Sequence, residues 1–234
     1  MNGDAGAGVR TPPGGAANGD GGGPETVAEV IAAVSYGERL GAQRAQESVR
    51  LAPDPRAASE QQHIAEREQH NCDLIAARLR EIGREDLVDR FRPFFDAFFD
   101  GTSPKDWVEA QTFHYIGDAL VSDFADVLAP LVDKVSAEII RRTLGDREAP
   151  EQFALEELTR AMEADAEVKE RIRGYSRRIV GEAFTQTGRA LDASEGLREL
   201  LGQDEDRGKR FILTLLERHR QRLDRLGIEP LDDD

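Results

Sequence analysis

Sulfur and aromatic rings are scarce in this chain, and each scarcity closes off a class of protein. A single cysteine, Cys72, excludes an internal disulfide and suits a reducing compartment. Aromatic residues make up only 6% of the chain, with one Trp and three Tyr, so a sheet-rich fold, which draws on aromatic and β-branched residues, is not expected. No apolar run approaches the length of a bilayer span, and the N-terminus carries no apolar stretch of the secretory kind. The expected location is cytoplasmic. Basic residues are also short: 31 Lys and Arg against 46 Asp and Glu leave a net charge of −15. Such a surface repels nucleic acid and anionic lipid, except where basic residues gather locally.

What is present reads as helix. A hydrophobic content of 39% with 33% charged residues fits one helix-rich domain. Residues 1–24 are Gly-, Ala- and Pro-rich and cannot bury enough surface to offset ordering, so a disordered tail is expected there, with the helical domain over 25–230 and an acidic tail over 231–234. The tail's glycines have no strand before them and no phosphate-binding Lys-Ser/Thr after. Val27, Ile31, Val34, Glu38, Gly41, Ala45 and Val49 follow helical spacing up to Pro53 and Pro55. A second helix from Arg56 carries Ile64, Glu68, Asn71, Ile75 and Leu79 inward and stops at Gly83. Residues 84–100 read as a short amphipathic helix broken at Pro93, or as a packed connection. A third long helix, opened by Ser103-Pro104, has the stripe Phe113, Ile116, Leu120, Asp123 and Val127. A fourth starts near Leu131 and leads toward Asp146 and Phe153, with Pro150 kinking or interrupting it; a fifth covers roughly 166–192 and a sixth 207–226. The predicted architecture is all-α, a four-helix bundle with further C-terminal helices.

Three of the stripes are interrupted by an acid. Glu38, Glu68 and Asp123 sit where leucines belong, and a buried carboxylate is costly unless a metal, a basic partner or a shared proton compensates it. Bundles that hold two divalent ions take one Glu from each of two helices and a Glu-x-x-His pair from each of two others, because two dications need about four carboxylates. Here Glu38 and Asp123 fit the single carboxylates and Glu68 fits the first member of a pair. Asn71 stands where that pair's His belongs, and His70 points about 100° away. On the fourth helix Asp146 falls on the stripe, three residues before Ala149, with Glu148 and Glu151 as alternatives. The candidate metal ligands are therefore Glu38, Glu68, Asp123 and Asp146, then Asn71, Glu148 and Glu151. The competing reading pairs the acids with bundle residues such as Arg142 or Asn71.

Other residues read as structural. His63 and His219 are expected at the surface, His114 as a satisfied semi-buried histidine, Cys72 as a buried filler and Trp107 as a core anchor. Arg207, Lys209, Arg210, Arg218, Arg220, Arg222 and Arg225 make the last helix basic, and Arg171, Arg173, Arg177 and Arg178 form a second cluster. Both read as salt-bridge partners for the many carboxylates, with phosphate binding as the alternative.

The stretches SYGERLGA, PKDWVEAQTFHYIGDALVSDFADVLA, YSRRIVGEAFTQTGRAL and LERHRQRLDRLGI resemble a bacterial ferritin-like group similar to the tRNA hydroxylase MiaE, over about residues 25–228. That resemblance implies a ferritin-like bundle with a non-haem di-iron centre, two iron ions held by Glu38, Glu68 and Asp123 with an acid from the fourth helix, and Tyr115 or Tyr36 nearby. It also implies hydroxylation of a small molecule or a tRNA, and it leaves a homodimer open. The chain departs from the group's pattern at Asn71 and around 146–151. Three functions follow: a metal-dependent hydroxylase, a non-catalytic bundle that has lost its metal and serves in binding or interaction, and a tRNA-modifying protein.

Overall fold

Proline, aspartate and glycine punctuate the chain, and the helices follow them. The structure, a computed structural model, describes residues 23–144, 147–202 and 205–229, and every regular element among them is helical. Pro24 opens α1 (Pro24–Ser48), at a position where its missing N–H has no helical partner anyway. Asp54 caps α2 (Pro55–Ile82), its Oδ1 accepting from the N–H of Ala57 at 2.8 Å. Gly83 ends α2 at φ 72°, a left-handed conformation that glycine alone adopts without a Cβ penalty.

The next segment corrects the expectation of a break. α3 (Val88–Gly101) runs through Pro93, which removes one backbone bond. Phe91 on one side of it and Phe98 and Phe99 on the other are buried, and that packing holds the helix together across the gap. The third long helix is a composite of α4 (Trp107–Thr112), a π-turn over Phe113–Gly117 and α5 (Asp118–Leu128), the Asp118 N–H bonding five residues back to the Phe113 carbonyl. Its cap is Asp106, accepting from the Glu109 N–H at 3.0 Å, rather than Ser103. The expected fourth helix is two: α6 (Lys134–Leu144) and α7 (Glu148–Ala164). The interruption falls before Glu148, so Pro150 lies in the first turn of α7, where no donor is required of it. α8 (Val168–Ala193) and α10 (Glu205–Arg225) stand as expected, and between them is α9 (Glu195–Gly202), which the sequence reading did not separate.

α1 and α2 pack along their length; α3 lies against α1 and α8, α6 against α2 and α5, and α7 against α4 and the π-turn, while α10 rests on α5 and α9. Two apolar cores result. One joins the start of α1 to Ile75, Leu79, Phe91 and Ile140. The other joins Phe98, Phe113, Ile116 and Leu120 to Leu158, Ile172, Ile179 and Leu223. Among the described residues no helix is long and apolar enough to cross a membrane. Residues 1–22, Asp146 and 230–234 lie outside the described residues, and with them the expected tails.

Candidate functional site

The composite third helix is buried on two sides, and this decides which acids meet. Its apolar stripe, Phe113, Ile116 and Leu120, faces the core built with α7, α8 and α10. At about 100° per residue His114 and Asp118 fall beside that stripe, on another side of the helix. The structure turns that side toward α1 and α2. The π-turn adds a residue to the turn, and all five of its residues are buried.

Glu38, Glu68, Asp118 and Arg147 consequently line one small polar pocket, together with Gly37, Gly41, Phe99 and Val121. Arg147 Nη2 lies 3.2 Å from Glu38 Oε1 and 3.8 Å from Glu68 Oε2. Glu38 is 3% exposed and Glu68 6%, so both carboxylates are out of water. Burial pushes Glu38 up to about 7, against the pull of Arg147, with the neighbouring Glu68 and Asp118 charges adding to the rise. Burial likewise raises Glu68. For Arg147 burial acts against the charged form, but Glu38, Glu68 and Asp118 outweigh it and hold the guanidinium above its ordinary value. Glu38 Oε2 and Arg147 Nε are buried without a hydrogen-bond partner.

Asp118 ties this pocket to a polar chain. His114 Nδ1 lies 2.8 Å from Asp118 Oδ2, and its Nε2 is 3.0 Å from Ser48 Oγ and 3.4 Å from Gln61 Nε2. Gln61 in turn accepts from Gln111 Nε2 at 2.9 Å. His114 is thus buried and satisfied, as expected.

The other sequence candidates go elsewhere. Asp123 is buried, but Arg222 holds it at 2.7 and 3.0 Å and Arg218 at 2.7 Å, both from α10. Asn71 Nδ2 donates to the Thr143 carbonyl at the end of α6. Glu148 is exposed, and Glu151 pairs with Arg225 at 2.5 Å. Arg142, proposed as a partner for the acids, is exposed; the partner is Arg147. Tyr36 bonds Asp96 and Tyr115 the Arg222 carbonyl, each away from the carboxylates. His219 is not a surface residue: burial and the Arg222 charge push it down to about 4. Trp107 is half-buried, its Nε1 donating to Glu157 at 3.0 Å, rather than a core anchor.

Comparison with known proteins supplies the family. A model described as a ferritin-like domain of actinomycetes matches residues 24–204. The chain belongs to this ferritin-like family. The comparison with curated proteins gives no match. The match ends before α10, so the arginine grip on Asp123 belongs to a helix beyond it.

Ferritin-like bundles of the di-iron type place carboxylates and imidazoles around two metal ions. The residues of this ferritin-like domain do not fit that pair. A guanidinium stands between Glu38 and Glu68 and would repel two dications placed there. Both ring nitrogens of His114 are engaged by Asp118, Ser48 and Gln61, and Asn71 faces the end of α6.

Proposed function

We propose that this ferritin-like protein has replaced its metal centre with the tethered cation of Arg147, and that it works by binding rather than by oxygen chemistry. The observation that carries the reading is Arg147 Nη2, within salt-bridge distance of two buried carboxylates, Glu38 and Glu68, of the kind that would hold a metal. A permanently charged, planar group brings positive charge to that site without any cofactor. Hydroxylation of the kind implied by the likeness to MiaE would need imidazole and carboxylate ligands free of such a cation. A tRNA substrate finds little support either, because Arg218, Arg220, Arg222 and Arg225 of α10 are each committed to carboxylates.

The test is anaerobic incubation with excess Fe(II), removal of loose ion and a metal count. The reading expects iron well below one ion per chain and no change in the melting temperature. Two tightly held ions per chain, with a higher melting temperature, would overturn it.

A further inference from the structure

Half of the phenylalanines of this aromatic-poor chain surround one space. Of the ten, Phe91, Phe94, Phe95 and Phe98 from α3 and Phe124 from α5 line a partly open pocket of about 150 Å³, whose other walls come from α1, α8 and Leu197 of α9. A concave apolar space of this kind is unusual on a protein surface unless something binds there. Small residues keep this one open: Ala33, Gly37, Ala183 and Ala190 stand where larger side chains would close it. A Cβ on Gly37 would come 2.8 Å from Phe95 Cε1, so glycine there lets the Phe95 ring lie against α1 and form a wall.

The lining also decides what fits. Among the described residues Gln186 and Thr187 are its only polar side chains, and the Gln186 amide already donates to Glu182 at 3.3 Å. Among the same residues no Lys, Arg or His lines the space to compensate an anion, and no acid lines it to hold a cation. Small-molecule sites are mostly apolar with few polar groups, and a space of about this volume has room for a benzene-sized guest. Gly37 and Val121 belong to this cavity and to the pocket of Glu38 and Arg147, so the two spaces share a wall.

We infer that this cavity is a binding site for a small, neutral, apolar molecule, a single ring or a short branched hydrocarbon chain. The inference rests on the binding reading above and gives it a ligand class. The Arg147 cation closes the polar side of the shared wall, and the guest lies on the apolar side.

The experiment uses the full chain with toluene and indole as neutral probes and benzoate as a charged counterpart of toluene. Toluene and indole are expected to raise the melting temperature saturably by a few degrees, and benzoate is expected to leave it unchanged. Ala190→Leu and Ala183→Leu, which fill the space from α8, should weaken toluene binding at least tenfold. If neither variant folds, intermolecular nuclear Overhauser effects between toluene and the methyl groups of Val34 and Leu120 in the wild type decide the matter. No saturable response, an equal response to benzoate, an undiminished response in a folded filled variant, or the absence of those Overhauser contacts would overturn the inference. Metal binding by the wild type would instead defeat the reading of Arg147 and leave these results standing.

Discussion

Removing the Arg147 guanidinium strands two carboxylates that water cannot reach. Breaking a buried pair from one side is costly, so Arg147→Met should lose about 3–5 kcal/mol in urea unfolding. The triple variant Glu38→Gln, Glu68→Gln and Arg147→Met removes the whole charge set and should recover most of that loss. His219 gives a second test at this scale. Its folded pKa of about 4 lies below the usual value near 6.5, so the unfolded chain takes up a proton that the folded chain refuses. Stability contributed by the neutral ring is whole above about 6.5 and falls away as the pH drops toward 4. The loss is on the order of 3 kcal/mol. Unfolding of wild type and His219→Leu at pH 7 and pH 4.5 should show a smaller drop in the variant. Glu38 and Glu68 were legible in the sequence because each interrupts a helical stripe with an acid. Arg147 was not, since it sits at the break between α6 and α7, where no periodicity assigns a direction. Glu29 and Glu157, also buried, were missed because Glu29 lies off the stripe of Val27, Ile31 and Val34 and Glu157 follows another acid, Glu156; Glu29 is held by Arg90 and Ser194, and Glu157 by Arg56, Arg160 and Trp107.

Helices were easier to read than their faces. Proline and glycine fixed the limits of α1 and α2, and spacing found α8 and α10, because these signals act locally. The composite helix 107–128 shows why faces are harder: it has two buried sides, and the apolar stripe marks one of them while His114 and Asp118 meet α1 and α2 on the other. Asp123 was correctly expected to be buried, yet its partners come from α10, about 95 residues later, and no local pattern announces so distant a contact. That grip is also the main polar attachment of α10, helped by Phe211 against Phe124 at 4.8 Å between ring centres. Asp123→Asn should therefore loosen α10 first. Limited proteolysis should cut within 205–225 before the rest of the chain, and global stability should fall by about 3 kcal/mol. Uniform cleavage across the chain would show that α10 is held by apolar packing instead.

The same device recurs across the whole molecule: a buried acid held by arginine at Glu29, at Glu38 with Glu68, at Asp123 and at Glu157. A chain with 46 acidic residues and few aromatic ones has filled part of its interior with ion pairs. On this view the polar pocket of Glu38, Glu68 and Arg147 is one more such pair. The most direct test is the urea unfolding midpoint of the wild type and of Arg147→Met, each measured in EDTA and in excess Mn(II). The expected result is a wild type indifferent to the ion and a weakened variant that regains stability when Mn(II) takes the vacated place among Glu38, Glu68 and Asp118. A wild type that weakens in EDTA and recovers with Mn(II), alongside a variant that ignores the ion, would contradict the account.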